Sequence, residues 1–378
     1  MQAPNHTVDC AIIGGGLAGL CLSIQLANVG LNVVLIERNE YPFHKVCGEY
    51  ISMESWDFLI ELGLPLGKMD LPIINELGIS SEKGFMLNAP LQMGGFGISR
   101  YTLDEALSKL AILKGVHVLQ NTKVTAVTYT NKQVYTITTP NQAIFSKIVC
   151  GSYGKYTPAF MQQVVDTIKP QPTNFIGVKY HIKTQLKHNR IELHNFKNGY
   201  CGISKVDKDW FCLCYLSNAT NLHDNNNNIK TMEENVLYKN PFLKAYFTQS
   251  EFVSPQPQVI SNIQFSKKKT YANGVFLLGD AAGSITPLCG NGMSMGMRAS
   301  KLLARELIQF FESKKQKIDI VKHYEKAWNN AFNQRVKTGY YLQNLFGKKL
   351  LTHYTLKALS KTPVLMQKII SLTHGQRF

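Results

Sequence analysis

Acidic residues are scarce in this chain of 378 residues: 25 Asp and Glu stand against 41 Lys and Arg, a formal net charge of +16. That balance favours anionic partners, which are nucleic acid, an anionic membrane surface, or an acidic carrier protein and phosphorylated small molecules. No arginine-rich tract or nucleic-acid-binding motif accompanies the charge, so no nucleic-acid partner is expected. Long apolar runs are missing as well, and no stretch reaches the roughly 20 residues that a membrane-crossing helix needs. No basic leader with an apolar core and a small-residue cleavage site opens the chain, because the apolar run from Val8 already reads as a strand; a cytoplasmic protein is expected. The 8 cysteines, at positions 10, 21, 47, 150, 201, 212, 214 and 289, include no CxxC pair. This argues against a zinc site and a disulfide framework, and leaves reduced thiols and no metal as the expectation. Cys212 and Cys214 lie two apart on a strand pattern and share a face as small core residues. Internal repeats are absent, and the one low-complexity piece, Asn225 to Asn228, reads as an exposed loop.

The strongest positive signal lies near the start. Val8 to Ile13 is an apolar strand, Gly14-Gly15-Gly16-Leu17-Ala18-Gly19 is a glycine turn opening a helix, and Leu31 to Ile36 is a second strand ending in Glu37. Gly14 permits the tight turn out of the strand, Gly16 lets the backbone approach a pyrophosphate, and Gly19 lets the helix pack on the sheet with its N-terminus facing the phosphates. Glu37 is then placed to accept hydrogen bonds from a ribose. A lone glycine pattern is weak, but here strand, helix, second strand and acid all fall in place, and they predict a dinucleotide site.

The first third alternates strand and helix as a doubly wound α/β sheet does. After Pro170 the pattern changes: Phe175 to Ile182, Trp210 to Leu216 and Val259 to Phe265 read as strands without long helices between them. An antiparallel sheet inserted into the nucleotide-binding domain explains this, with Thr231 to Thr248 as a helical piece. The α/β pattern returns at Gly274 to Asp280, which makes the first domain discontinuous. The expected division is 1–75, 96–169 and 266–315 for the nucleotide-binding domain, 76–95 and 170–265 for the substrate-binding sheet, and 316–378 for a helical region. Helices are expected from about Asn291 through Phe311, over Ile318 to Phe346, and over Leu350 to Leu372 with a break at Pro363. Asp280, at the carboxyl end of a parallel strand, sits where open α/β sheets bind ligands and is suited to the hydroxyls of a polyol. Gly290 and Gly292 open the next helix, whose free N–H groups stabilise negative charge on a reduced ring.

Together these residues resemble the flavoprotein superfamily of the para-hydroxybenzoate hydroxylases, geranylgeranyl reductases and flavin-dependent halogenases. The resemblance runs from Val8 to about Phe311 and rests on the glycine loop, Tyr41 to Glu49, Ser99 to Asp104 and the Gly279-Asp280 loop. It implies an α/β, Rossmann-like FAD-binding domain with an inserted antiparallel sheet and a helical C-terminus. It also implies FAD, with Gly14, Gly16, Gly19, Glu37 and Arg38 at its ADP half, Arg100 at the phosphates or ribityl chain, and Asp280 at the ribityl or pyrophosphate region. Lys45, Cys47, Gly48, Gly290, Gly292 and Met293 complete the implied cofactor contacts. No second strand-linked GxGxxG marks a separate nicotinamide domain, so NADPH or NADH is implied as a transient reductant, with a protein electron donor as the other route.

The chain departs from the superfamily in two places. Where a Gly-Ala-Asp-Gly is usual it reads Cys150-Gly151-Ser152-Tyr153-Gly154-Lys155-Tyr156-Thr157, so no role of the missing Asp carries over. Trp56, Trp210 and Trp328 do not form the Trp-x-Trp-x-Ile-Pro of the halogenases, which disfavours halogenation. Lys45 to Glu49 looks most like the reductase branch, in which the Cys-Gly lies beside the flavin. Cys47 then reads either as a proton donor or as a small lining residue, and His44 and Glu49 either exchange protons or order the cofactor.

The implied activity is a monooxygenase, as in secondary metabolism, that hydroxylates a small apolar, phenolic or polyketide-like molecule, lipidic or carrier-bound, using a nicotinamide and O2. The alternatives are an ene reductase of an isoprenoid or lipid, and a flavin-bound electron-transfer or carrier-binding protein. Tyr200, Phe211, Tyr215 and Met93 are either pocket or core residues. In the last segment Lys348, Lys349, Lys357, Lys361, Lys368 and Arg377 alternate with leucines and isoleucines. This reads either as a cap on the fold or as a peripheral membrane contact.

Overall fold

The computed structural model describes residues 7–129, 134–162, 174–263, 265, 268–283, 288 and 290–378. Near-continuous apolar runs make strands buried on both faces, and such strands assemble into a parallel sheet. Thr7–Ile13 lies at the centre, with Val33–Ile36 and then His117–Leu119 on one side and Ala143–Gly151 and Val275–Leu277 on the other, all parallel. A hairpin of Ala126–Tyr129 and Tyr135–Thr138 and the short Tyr271–Ala272 strand add antiparallel edges. The return of the chain to this sheet at Val275 makes the α/β unit discontinuous in sequence. The borders expected at 169–170 and 266 lie outside the described residues, as do 284–287 and Cys289 of the second glycine-rich loop.

The second sheet is mostly antiparallel. It runs from Phe175–Lys183 through Phe211–Asn218, Gly199–Lys205 and Arg190–Phe196 to Ile73–Ser80, Met86–Gly97 and Tyr50–Ser52, with Gln258–Ile263 beside the first of these. One junction is parallel, between Arg190–Phe196 and Ile73–Ser80. Its outer face buries Val178, Phe211, Leu213 and Tyr215 against Met232, Leu237, Leu243 and Phe247 of a helical layer. The helical piece expected over Thr231 to Thr248 is two helices, Ile229–Val236 and Pro241–Gln249. Proline lacks the N–H that would continue the first helix, and Asn240 caps the second by accepting from the Phe242 N–H at 3.0 Å. The run Asn225 to Asn228 is more built in than an exposed loop: Asn225 is buried and donates to the Asn221 carbonyl at 2.7 Å, and Asn228 caps the Ile229 helix.

Gly292–Phe311 and Leu17–Ala27 pack on the first sheet, and close approach is possible because Ala18, Gly279 and Gly296 are small where they meet. Lys317–Leu345, Lys349–Ser360 and Pro363–Thr373 follow, broken as expected before Pro363. The last two bury Leu356 and Met366 against Leu77, Ile79 and Leu91 of the second sheet.

Asn240 is fully buried and also donates to Ser80 Oγ (2.8 Å) and the Asn195 carbonyl (3.0 Å). Asn240→Ala removes the cap and the buried hydrogen bonds to Ser80 and Asn195, so we expect a loss of about 2–3 kcal/mol in urea unfolding. A midpoint equal to that of the wild type would show that the cap carries no load.

Candidate active site

Strand register builds the site. Ile13 pairs with Ile36 and with Gly151, and Gly151 pairs with Leu277. Residues that follow each strand therefore emerge at one level on the carboxyl edge: Gly14 to Gly16, Glu37, Ser152, and Gly279 with Asp280. This is the switch point at which open α/β sheets bind ligands. Two helices aim at it. Leu17–Ala27 and Gly292–Phe311 start without a side-chain cap and without an acid in the first turn. Free N–H groups at both N-termini therefore face the same groove, an arrangement that favours an anion.

The glycines divide their roles. Gly14 has φ +103°, and a Cβ there would lie 2.4 Å from the Ser152 carbonyl oxygen. At Gly19 a Cβ would meet the Gly14 carbonyl oxygen at 2.2 Å, whereas at Gly16 it would meet nothing within 4 Å and would project into open space. Gly14 and Gly19 are thus required by packing, and Gly16 by what enters the groove. Glu37 is buried; its carboxylate accepts from the Gly15 N–H at 2.8 Å and from the Asn39 N–H at 3.0 Å while lining the cavity. It holds the glycine loop in shape as well as bordering the groove, and exposed Arg38 borders it too.

Asp104 organises the next stretch. It has no solvent exposure, and its carboxylate accepts from Arg100 Nε and Nη2 at 2.8 Å and from Lys45 Nζ at 2.9 Å. Burial would raise its pKa, but the Arg100 and Lys45 charges outweigh burial and hold it below the usual range. Arg100 and Lys45 line the cavity beside the glycine loop. The helix carrying Arg100 is fixed by Asp207, which accepts from the Ser99 N–H, and from the Thr102 hydroxyl at 2.7 Å.

Glu49, with φ +55°, is also buried, and its carboxylate takes Lys179, His181 Nε2 (2.7 Å) and the Arg100 N–H (2.8 Å). Burial opposes its ionisation, but hydrogen bonding from His181 and the Lys179 charge prevail and lower its pKa. Cys47 is half-buried and donates to Met293 Sδ at 3.6 Å, across from the start of the Gly292 helix. Gly48, Asp280, Gly290 and Gly292 border the same space. His44 borders it as well, and burial with neighbouring Lys179 lowers its pKa.

The cavity has a volume of about 1460 Å³, above the several hundred Å³ usual for one drug-sized ligand. One end is the polar groove just described. The other is an apolar arm along the second sheet and the last helices, bordered by Leu193, Tyr200, Leu216, Phe346, Leu359 and Ile370. Tyr215 borders it too, although its hydroxyl donates outward to Glu233 at 2.8 Å. Phe211 packs in the helical layer and Met93 takes a hydrogen bond from Ser52, so neither lines the cavity. Cys214 borders the arm, while Cys212 donates to the Cys47 carbonyl at 3.2 Å.

The expected cofactor residues thus come together around one groove, except that Gly14 and Gly19 act through packing. Lys179, His181 and Asp104 were missed as functional residues. The signal for the first two was present: Gly177, Lys179 and His181 alternate along an otherwise apolar strand, which puts them on one face.

The groove fits a dinucleotide by its uncapped helix ends, the open space at Gly16 and the polyol-suited Asp280. FAD bound there supplies electron transfer and oxygen or hydride chemistry that side chains lack. Lys45, Arg100 and the two helix N-termini would hold its diphosphate, Glu37 and Arg38 its adenosine end, and Asp280 its polyol. The arrangement defines a flavoprotein oxidoreductase.

Comparison with known proteins agrees. A family model described as an FAD binding domain matches residues 7–143, and one described as squalene epoxidase matches 154–340. Conditioned medium factor receptor 1 of Dictyostelium discoideum is 25% identical over 355 residues, covering 86% of this chain and 68% of its own. Digeranylgeranylglycerophospholipid reductase 1 of Methanococcoides burtonii is 24% identical over 374 residues, covering 89% and 83%. The crystal structure of a flavoprotein/dehydrogenase from Cytophaga hutchinsonii superposes with a TM-score of 0.79 at 17% identity, covering 98% of this chain and 93% of that one, a likeness of fold. These matches support the resemblance of the chain to the FAD-dependent oxidoreductases of the hydroxylase, geranylgeranyl reductase and halogenase kind.

Two outcomes follow from this geometry. Gly16→Ala should keep the thermal midpoint and weaken FAD binding about tenfold, while Gly19→Ala should cost about 1–3 kcal/mol of stability through overpacking. Equal FAD affinity in Gly16→Ala and wild type, by fluorescence titration, would remove the groove assignment. Because the pKa values of Asp104 and Glu49 are depressed in the fold, their stabilisation is complete above the ordinary carboxylate range near pH 4 and is lost as pH falls through the lowered values. Asp104→Asn should flatten that acid limb, and Asp104→Ala, which leaves Arg100 and the part-exposed Lys45 without their shared carboxylate, should cost about 2–4 kcal/mol.

Proposed function

We propose that this FAD-dependent oxidoreductase is a monooxygenase acting on an elongated apolar molecule, with NADPH or NADH as reductant and O2 as co-substrate. The observation that carries the reading is the apolar arm, bordered by Leu193, Leu216, Phe346, Leu359 and Ile370. A predominantly apolar wall suits a reaction in which the cofactor carries the chemistry and the protein orients the substrate and excludes water. The cavity volume of about 1460 Å³ leaves room for a large hydrocarbon beside the cofactor, and the match to a squalene epoxidase model points the same way.

Reduction of an isoprenoid double bond is the second reading, supported by Cys47. Its thiol sits where groove and arm meet and is placed to give the proton that such a reduction consumes. The reductase relative supports it as well. Oxygen separates the two. With NADPH and squalene as the probe, the monooxygenase reading expects O2 uptake above the substrate-free rate and a product heavier by one oxygen atom. Anaerobic turnover giving a product heavier by two hydrogens would replace it with the reductase, and Cys47→Ala would then slow turnover while leaving flavin reduction intact.

The supply of such a molecule bears on the last two helices. No described helix is long and apolar enough to cross a membrane. Lys349–Ser360 and Pro363–Thr373 border the arm from inside, yet outside they expose Leu350, Tyr354, Val364 and Leu365 among Lys349, Lys357, Lys361 and Lys368. Both expected roles of this segment can then hold at once, a cap on the arm and a contact with anionic lipid headgroups, where each basic residue contributes about 1 kcal/mol. We expect the protein to pellet with vesicles containing phosphatidylserine at low salt. Binding should weaken as the screening length falls toward about 8 Å at physiological ionic strength, and Val364→Glu with Leu365→Glu should abolish it without changing the thermal midpoint. Equal, negligible pelleting with anionic and neutral vesicles would end the membrane reading.

A further inference from the structure

The turn from Lys45 to Glu49 is held from behind at three points. Lys179 Nζ donates to the Lys45 carbonyl at 3.2 Å, Cys212 Sγ donates to the Cys47 carbonyl at 3.2 Å, and the Glu49 carboxylate is taken by Lys179, His181 and the Arg100 N–H. These anchors come from one sheet face. Gly177, Lys179 and His181 alternate along Phe175–Lys183, and Cys212 lies opposite His181 in register. Gly177 belongs to the set by what it lacks, since a Cβ there would lie 3.2 Å from Val46 Cγ1. The side chains of Lys179 and Glu49 have no solvent exposure.

A turn with a non-glycine residue at φ +55° does not hold itself in that shape, because left-handed backbone disfavours a side chain. A buried ion pair is a poor source of stability, since apolar residues of similar volume commonly serve as well or better. Its specific effect here is geometric: one ammonium bridges the two ends of the turn, residues 45 and 49, while Cys47 in the middle faces Met293 across the cavity.

We propose that Lys179 is a positioning residue: together with Glu49, His181 and Cys212 it fixes the turn that presents Cys47 at the junction of the cofactor groove and the apolar arm. The proposal rests on the reading of that groove as the FAD site with its ring end at the junction. Lys179 contacts neither cofactor nor substrate and acts through the turn.

The test uses the holoprotein and N-ethylmaleimide, with the alkylation rate of Cys47 read by mass spectrometry at saturating and at limiting FAD, beside the visible spectrum of the bound flavin. In the wild type FAD should protect Cys47. The double variant Lys179→Met with Glu49→Gln removes both charges and so strands neither. Its protection factor should fall about tenfold, the scale of one lost hydrogen bond to a charged group, and the flavin bands should lose fine structure. Cys212→Ala removes one anchor without touching charge and should lower protection in the same direction by less. A double variant that is folded by circular dichroism, with wild-type protection and spectrum, overturns the proposal. If the double variant does not fold, Cys212→Ala decides, and unchanged protection there overturns it. A wild-type Cys47 that FAD does not protect overturns the ring-end reading and the proposal with it, whereas protected wild type with unaltered variants overturns the positioning role alone.

Discussion

Two carboxylates with no access to water, Asp104 and Glu49, hold the cavity together. Each sits between elements of different origin: Asp104 ties the Arg100 helix to the Lys45 turn, and Glu49 ties that turn to the second sheet through Lys179 and His181. Leaving either buried charge unpaired would cost about 3–5 kcal/mol, a large part of the 5–15 kcal/mol that a folded domain has in total. Pairing both charges therefore favours folds that bring these segments together, and the segments brought together are those that border both halves of the cavity. The lowered pKa values of both acids, despite burial that raises them, show that the pairing outweighs desolvation.

The parallel sheet supplies the complementary constraint. Because Ile13, Ile36, Gly151 and Leu277 stand at one level, the loops after four separate strands open on one edge. This half was legible in the sequence. Gly14, Gly16, Gly19, Glu37 and Asp280 follow apolar runs at spacings that have a mechanical meaning, so strand, turn and helix could be read before any packing was known. The helix from Gly292 and the break before Pro363 were legible for the same reason, since glycine and proline act on the backbone locally.

The other half was legible only in part, because its meaning is relational. Lys179 and His181 stand on a strand whose neighbours are apolar, and nothing local shows that their face meets the Glu49 turn rather than solvent. Asn240 looked like one polar residue within a helical stretch, and its role depends on Ser80 and Asn195, which lie far away in sequence. Tyr215 and Phe211 differ in whether they border the cavity although they lie on one strand four residues apart, and only the packing of the second sheet decides it. The joining of Tyr50–Ser52 to the second sheet, amid segments of the first, is likewise set by pairing with Gly95 to Gly97.

The division of charge within the cavity has a chemical consequence. Lys45, Arg100 and the two free helix ends concentrate positive potential at the groove, where a diphosphate needs it, while the arm is bordered mainly by apolar side chains such as Leu193, Leu216, Phe346, Leu359 and Ile370. In the arm's low dielectric an unpaired ion would be costly, so an apolar chain displaces water there more readily than a charged ligand does. A substrate that fills the arm thus excludes water from the junction at the moment it arrives, where the turn holds Lys45 on Asp104, Glu49 on Lys179 and His181, and Cys47 against Met293. Catalytic power in such a site depends on how firmly that turn is held, which places the determinants of the reaction in the sheet behind it as much as in the wall that touches the substrate.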